Sequence, residues 1–285
     1  MRVAAIQMNS GSDISANLKV ADKLLREAAK DGCKLAVLPE NFAFMSTHSR
    51  DKVKISEAPG EGPIQKFLSD VSHRYGLWLV AGSIPLNSPK IDANRVYGAC
   101  PVYDADGIEQ AIYRKIHLFD VDLIDKQESY RESYSMYPGD DIISVVTPCG
   151  KIGLTICYDL RFPELFRKLI DTGVTMFTVP AAFTRATGEA HWHTLLCARA
   201  IENLAYVIAA GQYGEHPDGR STYGHSLIID PWGKILAETD DGNCFVAADI
   251  FHCHIGFLEP VKLLLAIFPQ SLMPLPAPQA LEKGL

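Results

Sequence analysis

The chain reads as an α/β protein, and two patterns carry that reading. Early in the sequence, short apolar runs at residues 3–8 and 35–38 flank a helical stretch at 14–30. Strand, helix and strand in that order predict a parallel pair, because parallel strands need a crossover between them. Later, strands come in pairs joined by turn residues, Asp104-Ala105-Asp106-Gly107 and Asp230-Pro231-Trp232-Gly233, and these add antiparallel hairpins. The expected product is a mixed sheet structure layered with helices.

The first helix places Ile14, Leu18, Ala21, Leu25 and Ala28 on one face, with Ser12 or Asp13 to cap it and Asp31-Gly32 to end it. Residues 41–62 read as a loop ending in Pro59-Gly60-Glu61-Gly62. A second helix spans 63–75, with Ile64, Phe67, Leu68 and Val71 as its apolar face, and a strand follows at 77–83. The hairpin at 96–103 and 109–115 leads into a polar, tyrosine-bearing loop, 116–140. Loops of that length inside a compact domain usually serve function. A strand at 142–146 faces one at 152–156 across Pro148-Cys149-Gly150. Then come a helix from Pro163, a strand at 174–179, a loop at 180–188, a helix at 189–202 and a strand at 206–210. Strands at 224–229, 235–238 and 244–250 follow, and a Pro- and Leu-rich stretch reads as an extended tail. The total is about twelve strands and about four main helices.

Composition excludes several function classes. The formal net charge is -7 and no long run of Lys or Arg appears, so nucleic acid is not an expected partner. An anionic substrate would need a local cation against that overall field. The seven cysteines are odd in number, irregularly spaced and without a paired CxxC motif. They predict free thiols and a reducing, cytoplasmic setting rather than a disulfide framework. No signal peptide and no apolar run of membrane-spanning length is read, so no membrane partner is expected. His252 and His254 share a strand face beside Cys253, but no second ligand pair accompanies them, so no metal is expected. His191 and His193 are two apart on a helix and do not share a face.

The chemistry concentrates at strand ends. Glu40 follows the apolar run 35–39, Lys115 follows 112–114, and Cys157 follows 152–156. Sites in open sheets assemble at the carboxyl ends of parallel strands, and neighbouring strands here would bring a carboxylate, an ammonium and a thiol together. That set suffices for acyl transfer. Cys157 would attack a carbonyl carbon, Glu40 would take the thiol proton and later activate water, and Lys115 would stabilise the oxyanion. The amino end of the helix after Cys157, together with Lys115, is expected to favour the thiolate. Glu132, in Tyr130-Arg131-Glu132-Ser133, is a fourth candidate. Arg161, just past Cys157, and Arg185, after Phe183, are candidate cations for a substrate carboxylate, with an Arg161–Glu164 ion pair as the structural alternative for the first.

Three blocks, Leu38-Pro39-Glu40-Asn41, Tyr113-Arg114-Lys115-Ile116-His117-Leu118-Phe119 and Cys157-Tyr158-Asp159-Leu160-Arg161-Phe162-Pro163-Glu164, resemble those of the nitrilase superfamily, the carbon–nitrogen hydrolases. The resemblance covers residues 1–250. It implies a four-layer αββα sandwich, a Glu–Lys–Cys triad at Glu40, Lys115 and Cys157, and a second glutamate at Glu132. Pro180-Ala181-Ala182-Phe183-Thr184, Ala190-His191-Trp192 and Tyr223-Gly224-His225-Ser226 are similar to the Nit-type amidases. Within that branch the Tyr-Gly-His-Ser and Asp-Leu-Arg-Phe-Pro-Glu forms resemble the deaminated-glutathione amidases, with the omega-amidases as near neighbours. Tyr158, Phe183 and Thr184 join Arg161 and Arg185 as expected substrate-binding residues. The implied activity is cofactor-free hydrolysis of a small carboxylate-bearing amide through a thioester. A nitrilase and a catalytically silent scaffold are the rival readings. The resemblance further implies a homodimer or homotetramer joined through the helices after Cys157 and at 189–202, with residues 251–285 as an extension at a subunit interface.

Overall fold

A computed structural model of the chain describes residues 1–45, 48, 50–123 and 128–251. The strands of the first half are β1 (Arg2–Gln7), β2 (Leu35–Val37), β3 (Trp78–Val80), β4 (Ile84–Leu86), β5 (Tyr97–Tyr103), β6 (Glu109–Arg114), β7 (Asp120–Leu123) and β8 (Glu128–Arg131). The second half carries β9 (Ser144–Thr147), β10 (Gly150–Leu154), β11 (Met176–Ala181), β12 (Tyr206–Gly211), β13 (Tyr213–Glu215), β14 (Ser221–Tyr223), β15 (Leu227–Ile229), β16 (Ile235–Glu238) and β17 (Cys244–Asp249). The helices are α1 (Ile14–Lys30), α2 (Asp51–Lys54), α3 (Pro63–Tyr75), α4 (Pro163–Asp171) and α5 (Arg185–Asn203).

One sheet has the order β17-β1-β2-β3-β5-β4, with β6 pairing the other edge of β5; a second has the order β16-β15-β12-β11-β10-β9. Its opening strand–helix–strand unit is parallel, as the crossover requires: β1 with β2, then β2 with β3. In the second sheet β10, β11 and β12 are parallel. The side chains of β1 alternate between two cores. Val3 and Ala5 meet Ile152, Leu154 and Val207 of the facing sheet. Ala4 and Ile6 join Leu24 and Leu25 of α1 and Leu68 and Val71 of α3. Helices α4 and α5 cover the second sheet with Leu165, Phe166, Leu169, Leu196 and Ala200. The layers are therefore α, β, β, α. Strands buried on both faces have no polar side to alternate with, which is why they read as continuous apolar runs.

Asp13, rather than Ser12, caps α1 by accepting the Ala16 N–H at 3.1 Å. Elsewhere the structure departs from the sequence pattern where tertiary packing overrides it. The loop at 41–62 contains α2, and 116–140 contains the β7–β8 hairpin. The strand expected at 77–83 is shorter, β3 at Trp78–Val80, and β4 begins beyond it at Ile84; between them lies Gly82, whose φ is +65° and where a Cβ would run into the Pro39 carbonyl oxygen. Helix α5 begins at Arg185, earlier than expected, because Thr184 caps it. Gly188, read as a loop residue, lies inside the helix against Tyr223, where no Cβ fits. Among the described residues no helix is long and apolar enough to cross a membrane, and the six cysteines there are free thiols. The expected extension beyond Phe251, with His252, Cys253 and His254, lies outside the described residues.

Candidate active site

Glu40, Lys115 and Cys157 stand just beyond β2, β6 and β10. Strand adjacency does not bring them together, contrary to the simplest expectation. β3 and β5 separate β2 from β6, and β10 belongs to the other sheet. They meet because the two sheets face each other with these strand ends on one side.

Cys157 opens a short turn of 3-10 helix, Cys157–Arg161, at φ 49°. This left-handed conformation is uncommon for a residue with a Cβ and persists only when its surroundings impose it. Asp159 imposes it here. Its fully buried carboxylate accepts the Ile156 N–H at 2.8 Å and the Tyr113 hydroxyl at 2.7 Å. It also accepts the His117 N–H at 3.0 Å and meets His117 Nδ1 at 2.7 Å. One carboxylate thus ties the cysteine turn to the chain around Lys115. The His117 ring lies flat on Phe162, centroids 3.6 Å apart.

Lys115 Nζ donates to Glu40 Oε1 at 2.8 Å and to Glu132 Oε2 at 2.9 Å. Glu40 Oε2 accepts the Ala182 N–H at 2.8 Å, and Glu132 Oε2 accepts the Phe119 N–H at 2.8 Å. Gln212 Nε2 holds the Glu40 carbonyl at 3.1 Å. Lys115 and Glu40 are buried, so breaking either partner would leave an uncompensated charge.

These contacts set the protonation states. Burial alone would raise the Glu40 pKa, but the charge and hydrogen bond of Lys115 outweigh it and hold the carboxyl below its ordinary value. Burial would lower Lys115, and the charges of Glu132 and Glu40 reverse that, lifting it well above its usual value. Burial and then the Glu40 charge push the Cys157 thiol well above its usual value, with Lys115 opposing too weakly to cancel them. The expected resting thiolate is therefore overturned. The α-helix begins only at Pro163, and the nearest charge to the sulfur that matters most is a carboxylate. The free site holds a neutral thiol beside an ionised Glu40, which is a nucleophile with its base in place.

A cleft of about 870 Å³ opens over this floor and is lined by Glu132, Tyr158, Arg161, Phe183, Thr184 and Arg185, among others. All the sequence-predicted site residues therefore reach one cleft. The arginines are engaged at its mouth. Arg161 Nη2 meets His191 Nδ1 at 3.3 Å rather than pairing with Glu164, and its guanidinium lies over Phe183 at 5.3 Å. Arg185 pairs with Glu189 at 3.2 Å in an exposed contact. Residues the sequence reading missed include Asp159 and Tyr113, and Lys52 and Arg220 on the cleft wall. An acidic residue at the third position of a turn is the usual signal for a role like that of Asp159. Away from the cleft, His193, His225 and Glu238 bring three possible metal ligands within 4.8 Å of one another. Glu238 Oε1 already meets both imidazoles there, at 2.7 and 2.8 Å.

Two facing sheets with a buried carboxylate, ammonium and thiol between them define a hydrolase class. The chain belongs to the carbon–nitrogen hydrolase family, which it matches over residues 2–250. It is thus a hydrolase of carbon–nitrogen bonds. It is 41% identical over 249 residues to a deaminated glutathione amidase of Synechocystis, covering 87% of this chain and 90% of that one. The structure of Saccharomyces cerevisiae Nit3, a member of branch 10 of the nitrilase superfamily, superposes with a TM-score of 0.81 at 31% identity, covering 96% of each chain. The C. elegans NitFhit protein gives a TM-score of 0.85 at 33% identity; the match covers 95% of this chain and 65% of that one.

Proposed function

We propose that the protein is a cysteine amidase that hydrolyses a small carboxylate-bearing amide, of the deaminated-glutathione type, through a thioester. Cys157 Sγ attacks the amide carbonyl carbon as its proton passes to Glu40. The Lys115 ammonium and the backbone N–H after the cysteine hold the developing oxyanion. Collapse of the tetrahedral species breaks the C–N bond, and Glu40 hands its proton to the leaving nitrogen. Glu40 then takes a proton from water, whose oxygen attacks the thioester; the C–S bond breaks, the acid leaves, and Glu40 returns the proton to the sulfur. Glu132 keeps the Lys115 ammonium in place. Tyr158, Phe183 and Thr184 wall the cleft, with Arg161 and Arg185 at its mouth.

The observation that carries this reading is one buried carboxylate, Glu40, bonded to Lys115 and coupled by charge to Cys157 on the floor of one cleft. The relatives' names direct it to deaminated glutathione rather than α-ketoglutaramate. Steady-state rates on the two compounds test it: kcat/KM should be higher for deaminated glutathione, and Cys157→Ala should abolish both. A clear preference for α-ketoglutaramate would make the protein an omega-amidase. Retained turnover in Cys157→Ala would sink the mechanism. The same reading includes a cytoplasmic homodimer or homotetramer assembled through α4 and α5, where Ile201 is 48% exposed; a monomer by light scattering at micromolar concentration would contradict it.

A further inference from the structure

We infer that Lys52 is the cation that seats the substrate's carboxylate, selecting ω-amides of dicarboxylic acids over neutral amides. This rests on the amidase reading. Lys52 sits on α2, a single helical turn in the segment between Glu40 and α3. The charged residues of that turn diverge. Lys54 Nζ pairs with Asp51 at 2.9 Å on the surface, whereas Lys52 lines the cleft and is half-buried there.

Among the described residues, the other lysine and the arginines that line the cleft are all engaged, Arg131 with Asp122. Lys115 holds Glu40 and Glu132, Arg220 pairs with Asp218, Arg185 pairs with Glu189, and Arg161 meets His191 while lying over Tyr158 and Phe183. Lys52 makes no hydrogen bond or ion pair among the described residues. An ammonium that has lost part of its hydration without gaining a partner is costly to keep charged. Its pKa shows this: burial lowers it, and the charges of Glu132 and Glu40 only partly restore it. Lys52 lines the same cleft as Glu40, Glu132 and Cys157.

Charge on the floor gives the second line of argument. Glu40 and Glu132 face a single ammonium, Lys115, so the catalytic floor carries an excess negative charge that would repel an anionic substrate. Lys52 cancels that excess, and Arg220 lies near enough to act on it by charge. A carboxylate entering beside Lys52 would regain for the ammonium the partner that it lacks. An exposed arginine already paired at the mouth gains less from the same contact.

The test compares glutaramate, which carries a carboxylate, with valeramide, a neutral amide of equal length. Wild type, Lys52→Met and Lys52→Arg are assayed on both, with thermal melts to confirm folding. One charge-assisted hydrogen bond predicts that Lys52→Met raises KM for glutaramate about 10- to 100-fold more than for valeramide, with kcat changing far less than KM. Lys52→Arg keeps the charge and should retain the preference for glutaramate, which keeps the test open if the methionine variant folds poorly. An equal rise in KM on both amides, or an equal fall in kcat, would overturn the inference and make Lys52 a residue that positions the catalytic carboxylates. Unchanged KM for glutaramate would overturn it outright. Wild type inactive on every amide, and no different from Cys157→Ala, would instead remove the amidase reading and the inference with it.

Discussion

The floor of the cleft and its mouth hold charges in opposite ways. On the floor, Lys115, Glu40 and Asp159 are buried, and each is fixed by hydrogen bonds at 2.7–3.1 Å from strand ends and turns. At the mouth, Arg185 and Glu189 face water in a helix-surface pair, and on the wall Arg220 pairs with a residue two positions away. Buried pairs are rigid and break at high cost, whereas exposed ones contribute little and rearrange. The difference separates the chemistry, set by the facing sheets, from substrate choice, set by loops and short helices on the wall.

Floor substitutions should have the largest effects. Glu40→Gln keeps the size but loses the base, and Lys115→Met keeps much of the stem but leaves two carboxylates facing each other. Loss of one oxyanion donor costs roughly 10²–10³ in turnover, so each variant should lose at least about 100-fold in kcat on that scale. A loss below about tenfold, judged against the same scale, would mean the role is misassigned.

A second expectation sharpens the picture of the floor through pH. Because Lys115 holds Glu40 below its ordinary value, the base stays ionised through the ordinary carboxylate range. The thiol and the ammonium are both pushed up, so neither titrates near neutrality. Alkylation of wild-type Cys157 by iodoacetamide should therefore be nearly flat from about pH 5 to 9. Glu40→Gln removes the base and the charge that raises the thiol, so its alkylation should climb with pH as thiolate forms. A flat profile in both proteins would mean that Glu40 does not take the thiol proton. Cys33 and Cys100, pushed by burial to about 11 and about 12, should label more slowly. The sign for stability follows from the same shifts. The Glu40 contribution is present above the unfolded carboxyl pKa and lost as pH falls through the lower folded value. That of Lys115 is present at neutral pH and lost only as pH rises through its raised value.

The mouth should give the smallest effect. Arg185→Lys keeps the charge of an exposed pair with Glu189, and should shift stability by no more than about 0.5 kcal/mol and leave KM for a carboxylate-bearing amide within about twofold. A selective rise in that KM would move the carboxylate seat from Lys52 to Arg185.

The same division explains what was legible in the sequence. Glu40 and Cys157 stood out because each follows a short apolar run, the mark of a strand buried on both faces, and Lys115 because it ends the second strand of a hairpin, β6, which is mostly half-buried or exposed. The order β1, α1, β2 followed from patterning and capping alone. Lys52 did not stand out. It lies in the charged run Arg50-Asp51-Lys52-Val53-Lys54, and a single turn of helix is too short to show a period, so only tertiary packing decides which lysine faces the cleft. The protonation state of Cys157 was not legible because the local turn points to a helix field, while the burial of the thiol, and after it the charge of Glu40 from the opposite sheet, come from tertiary packing. Gly188 misplaced the start of α5 because its reason for being glycine, the Tyr223 ring, lies far along the chain.

The central claim is that Cys157, with Glu40 as its base, carries the acyl group between two half-reactions. Rapid-quench intact-protein mass spectrometry with an amide substrate, followed by peptide mapping, tests it most directly. The prediction is an acyl adduct on the peptide containing Cys157 that forms within the first turnover, decays as acid is released, and is absent in Cys157→Ala. Hydrolysis proceeding at the wild-type rate with no adduct, or with the adduct on another residue, would contradict the account.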